Sequence, residues 1–99
     1  MNISIQAVQF NADKKLVAFI EERVAKLQQY FDRITSVEVY LKLENNAQVK
    51  DKIVSIRCNI PGSNFYAEES AKKFEASVDE AIDSLRRQIK KHKTKLARR

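Results

Sequence analysis

Residues 37–43 read Val-Glu-Val-Tyr-Leu-Lys-Leu, and this stretch decides how the rest of the chain is interpreted. Its apolar and polar side chains alternate strictly, which is the period of a β-strand with one buried face. Residues 54–60, Val-Ser-Ile-Arg-Cys-Asn-Ile, repeat the alternation. We therefore predict two strands, separated by a turn or loose loop at residues 44–48. Each strand has an apolar face that another layer must cover.

The chain after residue 60 predicts a turn, a strand and a helix. Residues 60–63, Ile-Pro-Gly-Ser, place Pro and Gly as a type II turn requires. A shorter fourth strand is expected from Asn64 to about Glu68. Apolar residues then recur at helical spacing and predict a long second helix, with Ser70 as its N-cap. The apolar stripe of that helix consists of Phe74, Val78, Ile82, Leu85, Ile89 and Leu96.

The chain before residue 37 predicts one strand and one helix. Residues 2–7 alternate between polar and apolar side chains and form the first strand. Asp13 is the predicted N-cap of the first helix, which is expected to end near Phe31. The apolar stripe of this helix consists of Leu16, Ile20, Val24, Leu27 and Phe31.

The order of elements, β-α-β-β-β-α, predicts an α+β fold arranged as a two-layer sandwich. The first two strands are joined through a helix and are expected to be parallel, with a right-handed crossover. The later strands are expected to form an antiparallel meander, which makes the four-stranded sheet mixed. Both helices should cover the apolar face of the sheet and leave the other face wet. Whether that wet face, with Tyr40, Lys42 and Arg57, touches RNA or protein stays open at this point.

Length and composition predict one folded domain over residues 1–99 that works in the cytoplasm. The chain is 43% hydrophobic and 32% charged, with one Gly and one Pro, which is typical of a folded chain with short loops. The single cysteine, Cys58, indicates a reducing compartment or simple packing. The first ten residues do not resemble a signal peptide, and we expect no membrane span because no apolar run is long enough.

The positive charge is concentrated at the end of the second helix. The chain carries a net charge of +6, which favours polyanionic partners. Residues 84–99 hold eight of its 19 cations and no acid. Cations near a helix C-terminus are also stabilised by the helix dipole. Eight cations without an acid are more than the dipole explains, so we favour polyanion binding. A membrane surface is disfavoured because the sheet needs the apolar face of the helix. These cations are Arg86, Arg87, Lys90, Lys91, Lys93, Lys95, Arg98 and Arg99.

One edge of the first helix alternates aromatic and basic residues, a pattern suited to RNA because rings stack on bases and cations meet phosphates. Phe19, Arg23, Lys26 and Tyr30 form this edge, and Arg33 follows just beyond. For the two aromatic residues we prefer the simpler interpretation that they pack at the rim of the core. The cations remain candidates for RNA contact.

Catalytic chemistry has little support in the sequence. His92 stands alone among lysines and is expected to be solvated or to face phosphate. Cys58 lies in the apolar phase of its strand, which predicts a buried and inert thiol. Asp79 and Asp83 are expected to pair with Arg86, Arg87 and Lys90 rather than to bind metal. We predict no enzyme activity, cofactor, metal site or small-molecule substrate.

Two segments resemble the ribosome hibernation promoting factor family. Residues 26–34, Lys-Leu-Gln-Gln-Tyr-Phe-Asp-Arg-Ile, resemble the family signature KLxQYFDRI, and residues 91–96, Lys-His-Lys-Thr-Lys-Leu, resemble its basic KHKxKL motif. The order of elements agrees over essentially the whole chain, whereas residues 44–52 match poorly. The resemblance implies a fold like that of double-stranded-RNA-binding domains. It also implies binding to 16S rRNA in the small (30S) subunit, alone or in the 70S ribosome. The site would be the channel for mRNA and the A- and P-site tRNAs, so that translation is blocked and idle ribosomes are preserved.

The resemblance indicates candidate RNA-binding residues on three different grounds. Lys26, Arg33, Lys91, Lys93 and Lys95 match motif positions. Arg86, Arg87 and Lys90 extend the same surface by helical position, and Arg23 is included for its chemistry alone. The chain is similar to the short form of the family and is expected to be a monomer off the ribosome.

Two other functional classes remain open from the sequence. A generic structured-RNA-binding module would hold free duplex RNA as tightly as 30S subunits. A protein-interaction regulator would bind an acidic protein surface, and its binding would resist ribonuclease. Whether the protein promotes ribosome dimers does not follow from these residues.

Overall fold

The computed structural model describes residues 2–44 and 51–97, except for the side chains of residues 96 and 97. The elements follow the predicted order β-α-β-β-β-α. Most of the predicted loop at 44–48, the side chain of Leu96, and Arg98 and Arg99 lie outside the described residues. The elements are β1 (Asn2–Ala7), α1 (Lys14–Tyr30), β2 (Ser36–Leu43), β3 (Lys52–Ile60), β4 (Ser63–Ala71) and α2 (Phe74–Ala97).

The four strands form one mixed sheet in the order β1-β2-β3-β4. β1 and β2 are parallel, whereas β2 with β3 and β3 with β4 are antiparallel, which confirms the predicted pairing. The register aligns Val39 of β2 with Ile5 of β1 and with Ile56 of β3. Because side chains alternate between the faces of a strand, this row of apolar residues lies on one face of the sheet.

The core lies between that face and the two helices, as the apolar stripes predicted. Val37, Val39 and Leu41 are buried, whereas Tyr40 and Lys42 between them are exposed on the opposite face. The helices therefore cover one face and leave the other wet. The helical share of the core includes Leu16, Ile20, Val24 and Leu27 from α1, and Phe74, Val78, Ala81, Ile82, Leu85 and Ile89 from α2.

The ends of α1 follow from local chemistry. The Asp13 carboxylate accepts a hydrogen bond from the Leu16 amide at 2.7 Å, which confirms Asp13 as the N-cap. At the other end, Phe31 leaves the helical conformation, although its amide still donates to the Leu27 carbonyl at 3.0 Å. Phe31 is buried, so the helix ends where its ring enters the core.

The turn after β3 is confirmed, but the predicted end of β4 was wrong. Gly62 has a φ of +79°, the left-handed conformation that the third position of a type II turn requires. β4 continues to Ala71, which pairs with Lys52 of β3, so Ser70 lies within the strand and is not a helix cap. α2 begins at Phe74. The prediction failed because pairing with the first residues of β3 keeps the last residues of β4 extended, and the residues around Ser70 do not reveal that pairing.

Candidate nucleic-acid interface

The C-terminal half of α2 combines a buried stripe with an exposed cationic surface. Leu85 and Ile89 are fully buried against the core, so this part of the helix is held by the rest of the domain. The cations between and beyond them are exposed and no acid occurs among them, since residues 84–97 contain neither Asp nor Glu. We call this surface the basic ridge; it consists of Arg86, Arg87, Lys90, Lys91, Lys93 and Lys95.

Helical geometry arranges part of the basic ridge in a straight row. Arg87, Lys91 and Lys95 follow one another at intervals of four residues, so their side chains lie one above the other on the same face. The row extends about 12 Å along the helix axis at a rise of about 1.5 Å per residue. This arrangement suits an extended polyanion because several cations meet it in sequence.

The end of α1 and the basic ridge lie side by side and form one surface. The Lys93 ammonium donates a hydrogen bond to the backbone carbonyl of Tyr30, the last residue of α1, at 3.3 Å. Lys26 and Arg33, the two cations of the first motif, are also exposed near this end of α1. Lys26 approaches Glu22 at 3.6 Å on the helix surface. A cation of the second motif, Lys93, therefore contacts the end of α1 directly, near the exposed cations of the first motif.

Arg23 is held by an acid of the other helix. Its Nε donates to the Asp79 carboxylate at 2.9 Å, and its guanidinium lies 4.3 Å from the centre of the Phe19 ring. The expectation that Asp79 pairs with Arg86, Arg87 or Lys90 was wrong, because α1 packs beside α2 and brings Arg23 closer. The charge of Arg23 is thus largely compensated, and Arg23 links the two helices.

The two aromatic residues of α1 have different environments. Phe19 packs against the core, as predicted. Tyr30 was expected to do the same, but it is not among the residues packed against the core and is 36% exposed. The Lys93 ammonium lies 4.5 Å from the centre of the Tyr30 ring, and the Arg86 guanidinium lies 6.0 Å from it. Tyr30 is therefore an aromatic group within a cationic surface.

His92 is not solvated as the sequence indicated. Its ring is half-buried and meets the rings of Phe31 and Phe65 edge to face, at centroid distances of 5.9 and 5.5 Å. The spacing contained a signal for this position, because His92 follows Ile89 by three residues and Leu85 by seven, so it continues their buried stripe. His92 thus fixes the later turns of α2 to the end of α1 and to β4.

The remaining candidates for reactive chemistry are inert or dispersed. Cys58 is fully buried, as predicted, and loss of hydration raises the pKa of its thiol to about 11. Among the residues that the structure describes, no group of three or more His, Cys, Asp or Glu side chains could hold a metal ion. Over the same ranges, no helix is both long and apolar enough to cross a membrane.

These features define a small α+β domain with a basic surface on its helical side. A sequence profile of the family described as "Sigma 54 modulation protein / S30EA ribosomal protein" matches residues 3–97, and the chain belongs to this family. The chain is 34% identical over 96 residues to the ribosome hibernation promoting factor of Escherichia coli K12, covering 97% of each sequence. It is 32% identical over 95 residues to the factor of the same name from Pseudomonas putida, covering 96% of this chain and 89% of that one. The resemblance found in the two sequence motifs is thereby confirmed.

Solved structures agree with the fold. The chain superposes on the N-terminal domain of Protein Y from Thermus thermophilus with a TM-score of 0.79 at 26% identity, covering 93% of this chain and 99% of that one. A ribosomal subunit interface protein from Coxiella burnetii has the same fold, with a TM-score of 0.84 at 22% identity, covering 95% and 99% of the two chains. The predicted α+β sandwich is therefore confirmed.

Proposed function

We propose that this protein binds the small (30S) ribosomal subunit, free or within the 70S ribosome, in the channel for mRNA and the A- and P-site tRNAs. Occupation of the channel blocks translation and preserves idle ribosomes. The observation that carries the proposal is the acid-free basic ridge, which a buried stripe fixes to a rigid domain. The membership of the chain in its family, and the hibernation factors that it resembles, support the same function.

The proposed mechanism is steric occlusion held by charge. The sheet and core supply a rigid body, and the basic ridge neutralises phosphates of 16S rRNA. Lys26 and Arg33 near the end of α1 supply a second group of contacts. Phosphate contacts of this kind position a protein but do not read sequence, so selectivity comes from the shape of folded RNA. The mechanism needs no catalytic step, cofactor, metal ion or small-molecule substrate.

The proposal also covers the domain organisation, the oligomeric state and the location of the protein. Residues 1–99 act as one ribosome-binding domain, which is a monomer off the ribosome and works in the cytoplasm. The buried Cys58 is compatible with a reducing compartment because packing, not a disulfide, accounts for its position.

Co-sedimentation with purified 30S subunits through a sucrose cushion tests the proposal. The titration is repeated over a salt series and with excess duplex RNA as competitor. We expect stoichiometric pelleting that survives the competitor, because the folded channel presents phosphates in a geometry that a plain duplex lacks. Absence of pelleting refutes ribosome binding. Pelleting that any duplex abolishes equally indicates a generic structured-RNA-binding module.

Binding that resists ribonuclease treatment of the subunits would instead indicate a protein partner. A charge-reversal variant separates contact from folding. Replacement of Arg86, Lys90 and Lys93 together by Glu should abolish pelleting while the chain stays folded, because all three side chains are exposed. The thermal midpoint should fall only by what the Lys93 contact with the Tyr30 carbonyl contributes. Unfolding of this variant would contradict a surface role.

A further inference from the structure

The environment of Tyr30 indicates more than electrostatic attachment. We propose that the Tyr30 ring stacks on an unpaired nucleobase of the bound RNA, while Lys93 and Arg86 meet the phosphates beside that base. The interface would then select RNA with an unstacked base next to a helical segment, and not a continuous duplex. This inference rests on the proposed function and specifies what kind of RNA the same surface binds.

Burial is the first argument for this role. Tyr30 stands between Leu27 and Phe31, which are 0% and 6% exposed and supply the apolar packing at this end of α1. Tyr30 itself is 36% exposed and is not among the residues that form the core or pack against it. A large aromatic group held at a surface on a rigid element binds at low entropic cost, because it has few rotatable bonds to immobilise.

The charges around the ring are the second argument. The Lys93 ammonium and the Arg86 guanidinium lie over the Tyr30 ring, 4.5 and 6.0 Å from its centre, so the base would stack on the part of the ring that these cations leave open. The ammonium is oriented by its hydrogen bond to the Tyr30 carbonyl at 3.3 Å and keeps further donors for a phosphate. A base on an aromatic ring with cations at its flanking phosphates is the combination that single-stranded nucleic acid requires.

The other exposed tyrosines provide an internal comparison. Tyr40 and Tyr66 lie on the wet face of the sheet and are 39% and 47% exposed. The Tyr66 hydroxyl donates to the Glu68 carboxylate at 3.4 Å, which would repel a flanking phosphate. Tyr40 stands opposite Gln6 and Ser55, which carry no charge. Tyr66 also has a cation nearby, since the Arg57 guanidinium lies 5.9 Å from its ring centre, but the Glu68 carboxylate accompanies it. Tyr30 differs in having two cations at its ring.

The test uses two RNA probes, a short duplex and the same duplex with one bulged adenosine. The full chain is expected to bind the bulged probe about 5- to 150-fold more tightly, the range expected for one stacked base. Tyr30→Leu should remove this preference, whereas Tyr30→Phe should retain it because the hydroxyl is not needed for stacking. Tyr40→Leu is the matched control, since it removes an equally exposed ring from the opposite face and should keep the preference.

The salt dependence separates stacking from an indirect effect on Lys93. Tyr30→Leu should weaken binding to the bulged probe without changing the slope of log affinity against log salt, since no phosphate contact is lost. A slope reduced by about one would show that Tyr30 only positions Lys93, and would overturn the inference. Equal binding of both probes by the native chain, or a preference that survives Tyr30→Leu, would also overturn it.

Two further measurements keep the outcomes distinct. Thermal unfolding of Tyr30→Leu should match that of the native chain, and Tyr30→Phe provides the conservative comparison if it does not. Pelleting of the native chain with 30S subunits reports on the proposed function alone. Pelleting without a preference for the bulged probe would refute only the stacking inference, whereas a preference for the bulged probe without pelleting would refute only ribosome binding.

Discussion

Neutralising one row of the basic ridge should weaken RNA binding by a calculable amount. The variant carries Arg87→Gln, Lys91→Gln and Lys95→Gln, which removes three exposed cations from one face of α2. Gln has nearly the helix propensity of Lys and Arg, so α2 should stay intact. Only Lys95 lies in the last helical turn, where loss of a cation costs about 0.3–1 kcal/mol through the helix dipole.

The expected magnitude follows from counterion release. Each phosphate contact contributes about 0.9 to the slope of log affinity against log salt for a duplex. If the native chain neutralises about six phosphates, its affinity should fall by about three orders of magnitude between 50 and 200 mM salt. Loss of three contacts should halve that slope and weaken binding by about 500-fold at about 0.1 M salt.

Binding to 30S subunits is measured by co-sedimentation at several salt concentrations, for the native chain and the variant together. The matched control carries Lys14→Gln, Lys15→Gln and Lys72→Gln. These exposed lysines lie at the N-terminal end of α1 and before α2, away from the ridge. The control has the same net charge as the row variant but keeps the row.

The two variants separate local contact from overall charge. We expect the control to retain nearly the native slope and the row variant to lose about half of it. Equal slopes for the native chain and the row variant would refute the assignment of the ridge to phosphate. Equal losses in both variants would show that net charge alone drives binding.

Three further perturbations test other parts of the structure. Asp79→Asn should strengthen RNA binding in the same assay, because it removes an acid and releases Arg23 from its 2.9 Å ion pair; weaker binding would mean that the pair is needed to hold the helices in place. His92→Ala should lower the free energy of unfolding in urea by about 1–2 kcal/mol through loss of two aromatic contacts, and an unchanged midpoint would contradict that packing. Burial raises the pKa of the Cys58 thiol from 9.0 to about 11, so between these values the unfolded thiol loses its proton while the folded one keeps it. Stability should therefore fall as the pH rises from about 9 to about 11, by at most about 1.4 kcal/mol per pH unit, and Cys58→Ala should lack this component.

The sequence by itself determined the sheet, the faces of the strands and the position of the cationic surface. Alternation at residues 37–43 and 54–60 identified both central strands and their buried sides, because a period of two is a local property of an extended chain. The Asp13 cap and the Gly62 turn were equally local, since each depends on the conformation of a few neighbouring residues. The run of cations at the end of α2 was visible because charge composition needs no structure. The two motifs identified the family for the same reason.

Only the tertiary structure decided which groups meet across elements. The extent of β4 depends on pairing with β3, so Ser70 could not be identified as a strand residue from its neighbours. The partner of Asp79 depends on the packing of α1 against α2, which brings together residues 56 positions apart. His92 meets the rings of Phe31, just after α1, and of Phe65 in β4.

The exposure of Tyr30 was decided in the same way. Periodicity places a side chain on an edge of a helix, but the neighbouring helix determines whether that edge is covered. Here Leu27 is fully buried, whereas Tyr30 stays 36% exposed and α2 brings Lys93 over its ring. Distances between remote residues arise from packing, which depends on the whole chain at once. The local pattern therefore placed Tyr30 beside the cations of α1, but it could not show that Lys93 and Arg86 of α2 lie over its ring.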